Sequence, residues 1–254
     1  MQSRNKVIIA TAGSGKTTGI ASAACEHSGG RSALVTYTRN GSGELRESVY
    51  RERGFVPPNV EIGTWFTFLL RHFVRPYQRA LYAAAPIRRL AFVEGRSAKW
   101  AKKSNVDRFY FASLGQVFSD KISQFACEVI EATGGLPIKR VEEIFDKLFI
   151  DEAQDLAGYD LDLVEYLLAS KTDVTIVGDV RQGTYRTNNS ARNKQYAGAN
   201  IAKKFDEWKA KGVVELELQT HSRRCVQAIC DLADRFYPDL PNADSSNERV
   251  TGHD

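Results

Sequence analysis

The sequence predicts an α/β fold in which a parallel sheet is flanked by helices and interrupted by a mostly helical insertion. Three observations lead to this prediction. Short runs of β-branched residues alternate with helical patterns in both halves of the chain. A glycine-rich loop joins the first of these runs to the first helix. Between residues 76 and 136 the alternation stops, and the only strand pattern there is at residues 109–111.

The first half of the chain alternates strand and helix at short spacing. Ser28-Gly29-Gly30 ends the first helix, and Pro57-Pro58 separates the second helix from the third strand. Because strands joined through helices make right-handed crossovers, this order predicts a parallel sheet. The elements expected here are strands at residues 6–10, 32–37 and 60–64, and helices at residues 17–27, around 44–49 and 65–73.

The second half begins with apolar residues at helical spacing from Leu114 to Val129, ended by Gly134-Gly135. Strands then follow at residues 147–151, 174–177 and 213–218, with helices at residues 160–169 and 225–236. We therefore expect three parts. They are residues 1–72 with 137–222 as the α/β domain, residues 73–136 as the insertion, and residues 223–254 as the start of a second domain or a tail.

The composition fits a globular cytoplasmic protein of 254 residues. Its hydrophobic fraction of 43% is enough for a sizeable core, and no apolar run is long enough to span a membrane. The four cysteines are scattered without a Cys-x-x-Cys pair, so we expect neither a disulfide framework nor a metal cluster.

Positive charge is concentrated in one segment. The net charge of the chain is +4, yet the stretch from Arg71 to Arg108 holds ten basic and two acidic residues, a net charge of +8. Aromatic residues such as Trp100 and Phe109 are interleaved with these charges. Basic groups neutralise phosphates and aromatic rings stack on unpaired bases, so the segment predicts a nucleic-acid partner. A solvated basic face around core aromatics remains the alternative.

The loop after the first strand has the pattern of a phosphate-binding loop. Its glycines leave room for a phosphate, and the backbone N–H groups and helix start supply positive potential. Lys16 adds a full charge, and Thr17 offers a hydroxyl to Mg²⁺. The alternative is a plain turn between strand and helix. The residues expected to bind nucleotide are Ala12, Gly13, Ser14, Gly15, Lys16, Thr17 and Thr18.

Two further polar segments follow predicted strands. Asp151 and Glu152 end the strand at residues 147–151, where Asp151 is placed to hold Mg²⁺ and Glu152 to orient or deprotonate a water. Gln182 follows the strand at 174–177 and is placed to sense a terminal phosphate. The alternative for Asp151 and Glu152 is an acidic first turn of the next helix. The alternative for the segment with Gln182 is a common Gly-Asp turn after a strand.

Together these motifs resemble those of superfamily 1A DNA helicases of the UvrD/Rep type. Ala-x-Ala-Gly-Ser-Gly-Lys-Thr, Asp-Glu-Ala-Gln-Asp and Gly-Asp-x-x-Gln-x-x-Tyr occur in the family's order. Weaker similarity is found at residues 36–40, 63–68 and 218–229. The resemblance implies a P-loop, RecA-like fold, with the insertion in the place of the family's helical 1B subdomain. It also implies ATP and Mg²⁺ as cofactors and single-stranded DNA as partner.

The resemblance assigns further site residues. Glu152 and Gln182 take catalytic roles, and Arg224 takes the place of the arginine that contacts the γ-phosphate, with Arg223 as the competing choice. The residues placed against DNA are Tyr37, Arg39, Thr64, Trp65 and Tyr185. The chain departs from the family in lacking its two later motifs and a glutamine helix before the first strand, and in having Phe66 where the family has histidine.

The sequence therefore predicts the ATP-hydrolysing motor domain of a DNA helicase or translocase. Because stepping needs a second domain, we expect low activity from this chain alone, completed by a missing C-terminal domain or a partner protein. The alternative is a helicase-like nucleotide switch in a larger DNA-processing or anti-phage complex, with no unwinding of its own. A phosphotransferase is a third, weaker reading, since Asp151-Glu152 with Gln182 favours water as the acceptor.

Overall fold

A computed structural model describes residues 4–27, 29–182, 191–238, 240 and 242–247 of the chain. The strands are β1 (Lys6–Ala10), β2 (Ser32–Thr36), β3 (Val60–Thr64), β4 (Arg89–Ala91), β5 (Phe111–Ser113), β6 (Gln116–Phe118), β7 (Lys147–Ile150), β8 (Asp173–Gly178), β9 (Glu215–Gln219), β10 (His221–Ser222) and β11 (Asp244–Ser245). The α-helices are α1 (Lys16–Glu26), α2 (Arg39–Arg53), α3 (Trp65–Phe68), α4 (Val106–Tyr110), α5 (Ile122–Ala132), α6 (Leu136–Ile144), α7 (Tyr159–Leu168), α8 (Ile201–Ala210) and α9 (Gln227–Phe236).

The central sheet has six strands in the order β3-β2-β7-β8-β1-β9, and all its neighbours pair in parallel. This confirms the predicted parallel sheet flanked by helices. Crossovers through helices bring the carboxyl ends of all six strands to one edge. The polar loops after β1, β7 and β8 therefore meet at that edge, as do the residues that follow β2 and β3.

Helices cover both faces of the sheet. Alternate residues of a strand point to opposite faces, so Leu34 packs with Ile20 of α1 and Leu45 of α2 on one side. Ala33 and Val35 pack on the other side in a larger core to which α3, α5, α7 and α8 contribute. No described helix has the length and hydropathy of a membrane span.

The inserted segment holds more helix than strand, as predicted, but it also contains strands where the sequence predicted helix. It holds a three-stranded sheet in the order β4-β6-β5, with β4 parallel and β5 antiparallel to β6. Gly115 causes the difference: its φ of +70° breaks a helix, and a Cβ there would lie 2.5 Å from the carbonyl oxygen of Pro86. The expected strand at residues 109–111 is also wrong in part, because Phe109 and Tyr110 end α4 and Phe111 begins β5.

The insertion shares a core with the central sheet. Tyr82, Phe111 and Val117 are buried in the same cluster as the larger face of the sheet, and the Tyr82 and Phe111 rings stack with centroids 3.8 Å apart. The α3 helix continues into π-helical turns over Leu69–Val74, which pack against α5. The boundaries proposed for the separate domains stay predictions.

A buried carboxylate ties several elements together. Asp160 in the first turn of α7 is 3% exposed. It accepts hydrogen bonds from the Tyr37 hydroxyl, the Ser123 hydroxyl, the Trp65 indole N–H at 2.8 Å and the Ala157 N–H at 3.3 Å. Burial raises the pKa of Asp160 although these donors oppose the shift.

We expect Asp160→Ala to lower the free energy of unfolding by about 3 kcal/mol, because it leaves several buried donors without an acceptor. Urea unfolding followed by tryptophan fluorescence measures the change. Asp206→Ala is the matched control, since Asp206 is an exposed acid on α8. Equal stability of the two variants would contradict the structural role given to Asp160.

Candidate functional site

The loop after β1 is shaped to receive an anion. Gly13 and Gly15 have φ values of +78° and +89°, and no atom lies within 4 Å of the position a Cβ of Gly15 would take. The Ser14 Oγ is buried and has no hydrogen-bond partner among the described residues. The α1 helix begins at Lys16, so the first N–H groups of the helix point towards this space. The loop therefore fits a phosphate group.

The segment that follows β9 holds the other side of this loop. The N–H of Thr11 donates to the carbonyl of Gln219 at 2.9 Å, and the Ser222 hydroxyl donates to the carbonyl of Ala12 at 2.8 Å. The N–H of Arg223 donates to the carbonyl of Gly13 at 3.0 Å. A Cβ on Gly13 would lie 2.3 Å from the Cβ of Arg224.

These contacts bring both candidate arginines to the phosphate-binding loop. The side chains of Arg223 and Arg224 are exposed, and the contacts described above are made by the Arg223 N–H and the Arg224 Cβ. The structure therefore places both residues beside the loop without choosing between them. Arg224 as the γ-phosphate contact stays a prediction.

The acid that ends β7 lies against the start of α1. The Thr17 hydroxyl donates to the Asp151 carboxylate at 3.2 Å, although the two residues are 134 positions apart. Burial and the nearby charge of Glu152 raise the pKa of Asp151 to about 6, against the opposing effects of the Glu152 N–H, Lys16 and Thr17. A hydroxyl and a carboxylate at this distance are the donor types that Mg²⁺ takes in phosphate-binding loops.

Glu152 has a strained backbone, and its carboxylate is held by Gln154, for which the sequence predicted no role. Its φ of +57° is in the left-handed region, which a glutamate rarely adopts. The Gln154 amide donates to the Glu152 carboxylate, and the Gln154 carbonyl oxygen accepts the N–H of Asp179 at 3.0 Å. Gln154 therefore links the loops after β7 and β8.

Gly178 provides the space for this link. A Cβ at Gly178 would lie 2.7 Å from the Gln154 carbonyl oxygen and 3.0 Å from Ala153 atoms. In the sequence, this link is visible only as a glycine at the end of β8, Gly178, and a glutamine after β7, Gln154. Their relation depends on the pairing of β7 with β8, which the sequence alone does not specify.

Two more carboxyl groups of the loops after β7 and β8 have raised pKa values. Burial and the charge of Glu152 raise the pKa of Asp155 to about 6. Burial also raises the pKa of Asp179, and the positive charge of Lys16 opposes the shift at both Asp151 and Asp179. The lysine therefore lies within electrostatic reach of both carboxylates, at the loop where a nucleotide phosphate would add further negative charge.

The loop after β8 connects the site to α9. Gln182 is exposed, and its N–H donates to the Asp179 carbonyl at 2.9 Å. The neighbouring Arg181 forms a mostly buried ion pair with Asp234 of α9 at 3.0 Å, and the Tyr237 hydroxyl donates to the Arg181 carbonyl at 2.9 Å. A cavity of about 530 Å³ lies between α9, this loop and residues 11 and 12 of the phosphate-binding loop.

Two of the residues predicted to contact DNA are buried. Tyr37 is 7% exposed and Trp65 is 0% exposed, and the polar atom of each side chain donates to Asp160. Both rings are buried in this conformation, which leaves little surface for a base to stack on, and their contact with DNA stays a prediction. The sequence could not show this burial, because Asp160 lies 123 and 95 residues away from them.

The other three predicted DNA contacts have different outcomes. Arg39 is exposed at the first position of α2, after the carboxyl end of β2. Thr64 is partly buried and caps α3, accepting the N–H of Thr67 at 3.2 Å. Contacts of these two residues with DNA stay predictions. Tyr185 lies outside the described residues.

Comparison with known proteins gives one family. A family model described as an AAA domain matches residues 1–188, which include the phosphate-binding loop, the acids after β7 and the loop after β8. No curated protein matches the chain.

The contact between Gly13 and Arg224 can be tested with a matched pair of glycines. Gly54 has a φ of +75°, and no atom lies within 4 Å of its Cβ position. We expect Gly54→Ala to lower the free energy of unfolding by about 1 kcal/mol through strain alone. Gly13→Ala should cost about 3 kcal/mol because it also overpacks against Arg224. Urea unfolding without nucleotide measures both, and equal losses would contradict the contact.

Proposed function

The chain belongs to the AAA domain family, and from that premise we propose that it binds ATP·Mg²⁺ and single-stranded DNA and hydrolyses ATP as a motor domain of DNA helicase type. The observation that carries the nucleotide part is the meeting of Thr17 and Asp151 beside Lys16, under an open phosphate-binding loop. The resemblance to UvrD/Rep-type helicases supports the DNA part, together with the basic segment from Arg71 to Arg108.

The residues around the loop divide the chemistry of ATP hydrolysis between them. Thr17 and Asp151 would hold Mg²⁺, which supplies positive charge to the phosphates when bound. Lys16 and the N–H groups at the start of α1 neutralise charge that develops on the transferred phosphoryl group. Glu152 orients and deprotonates the attacking water, and Gln154 fixes its carboxylate.

Two further residues complete this proposal at the edges of the site. Gln182 lines the cavity beside the phosphate-binding loop and senses the terminal phosphate. Arg224 lies directly against Gly13 and supplies a second positive charge to the γ-phosphate. Both side chains are exposed, so each is free to turn towards a nucleotide.

Lys16→Ala should weaken ATP binding about 100-fold, because it removes a charge aimed at the phosphates. Glu152→Gln should leave ATP binding unchanged and slow hydrolysis by a factor of about 10²–10⁴. A fluorescent ATP analogue measures binding, and phosphate release with protein in excess and an oligonucleotide present measures hydrolysis.

Matched controls come from α6, where Lys139 and Glu143 are exposed. Lys139→Ala and Glu143→Gln should match the wild type in both assays. Unchanged hydrolysis by Glu152→Gln would remove that residue from the proposed mechanism. Phosphate transfer to a hydroxyl compound instead of water would favour a phosphotransferase.

The link between the loop after β8 and α9 favours a second candidate, a nucleotide switch. The Arg181–Asp234 ion pair and the Tyr237 hydrogen bond give that loop a direct connection to α9. In a switch, nucleotide binding would change the affinity for a partner protein without strand separation. Unwinding of a labelled duplex by the chain supports the motor. The switch is supported if nucleotide changes the affinity for a partner protein and if the Glu152→Gln variant retains the biological output.

A further inference from the structure

Three aromatic rings form a row from the core to the surface. Tyr37 is buried, and its ring centroid lies 6.0 Å from that of Phe66 at an interplanar angle of 78°. Phe66 is partly buried, and its centroid lies 6.1 Å from that of Phe92 at 76°. Phe92 ends the row with 70% of its surface exposed. Edge-to-face contacts of this kind are favourable and hold the rings in fixed orientations.

This row lies at the edge of the sheet where the candidate nucleotide site also lies. Tyr37 directly follows β2, and Phe66 lies two residues after β3, so both are at the carboxyl ends of their strands. Phe92 directly follows β4 of the insertion. The insertion therefore adds an exposed aromatic ring at the carboxyl ends of β2 and β3. The phosphate-binding loop follows β1, on the other side of β7 and β8 along the same edge.

The inner end of the row is anchored. The Tyr37 hydroxyl donates to the buried Asp160 carboxylate, which also accepts the indole N–H of Trp65. Because Trp65 directly precedes Phe66, the same carboxylate fixes the backbone that carries the middle ring. A ring that is already oriented loses little conformational freedom when a flat ligand stacks on it.

The charge around Phe92 favours a polyanion over an apolar partner. None of five exposed basic residues within about ten positions of Phe92 forms an ion pair with another residue of the described ranges. These residues are Arg88, Arg89, Arg96, Lys99 and Lys102. Free positive charges attract phosphates, and an exposed aromatic ring offers a face on which an unpaired base can stack.

We propose that Phe92, supported by Phe66, is a stacking platform for an unpaired base of single-stranded DNA. This inference rests on the DNA-binding part of the proposed function and gives that function a specific contact. It places a base contact at the exposed end of the row whose inner ring, Tyr37, the resemblance placed against DNA.

The test compares two oligonucleotides of roughly 12 positions, one of thymidines and one with abasic sites, by fluorescence anisotropy with the full chain. Phe92→Ala should raise the Kd for the thymidine strand about 10-fold, and the Kd for the abasic strand less than about 2-fold. Phe92→Trp should retain wild-type affinity, whereas Phe92→Leu, which keeps the apolar area but loses the ring, should behave like Phe92→Ala.

Phe55 provides the matched control. It is 57% exposed and follows the end of α2, the helix that leads back to the amino end of β3, so it lies at the opposite edge of the sheet. Phe55→Ala should bind both strands as the wild type does. Because both phenylalanines are exposed, both variants should stay folded, and Phe92→Ala should lose only the small stabilisation of its edge-to-face contact with Phe66.

Three outcomes would overturn the inference. Equal weakening on both strands would mean that Phe92 does not act through a base. If Phe92→Ala binds the thymidine strand with wild-type affinity, Phe92 is not a base-stacking residue and a protein partner becomes the better ligand for this ring. The proposed function would be unaffected by that result. If the wild type binds neither strand, the DNA part of the proposed function fails as well, while ATP binding that depends on Lys16 remains a separate measurement.

Discussion

The buried Asp160 carboxylate is the constraint on which the arrangement of the functional edge depends. It draws donors from the end of β2, the start of α3, the helix α5 and the loop before α7 into one place. Removing a carboxylate from water is costly unless donors surround it, so these segments cannot separate without leaving a charge or a donor unsatisfied. The acidic loop after β7 leads into α7, the helix that carries Asp160. The same carboxylate therefore supports the segments after β2 and β3 and the loop that carries Asp151 and Glu152.

The acids at the site are positioned by bonds between loops rather than by one loop alone. Gln154 bonds to Glu152 on one side and to the backbone of Asp179 on the other. A displacement of the loop after β8 would therefore reach Glu152 through a single side chain. That same loop is paired to α9 through the Arg181–Asp234 ion pair, so three contacts separate Glu152 from the helix. Such a chain of contacts gives a physical route between nucleotide chemistry and the surface of α9.

Local signals in the sequence predicted the features that depend on local structure. The strands β1 and β3 have the predicted bounds, and the α/β alternation fixed the parallel sheet. The three-stranded sheet of the insertion was missed because apolar spacing at residues 114–118 imitates a helix, while Gly115 turns the chain. The burial of Tyr37 and Trp65 depends on an acid far away in sequence, and the role of Gln154 depends on which strands are neighbours. Long-range pairing of this kind has no periodic signature.

The close approach of Gly13 and Arg224 has a consequence for how this protein can change over generations. The two positions are 211 residues apart, yet the Cβ and the backbone nitrogen of Arg224 occupy the volume that a side chain at position 13 would need. A larger residue at position 13 would be tolerated only after the segment at 222–224 had moved, so mutational paths through these sites are ordered rather than independent. The phosphate-binding loop and the segment at 222–224 are therefore expected to change together in evolution. Engineered fragments that end before residue 222 would separate the two.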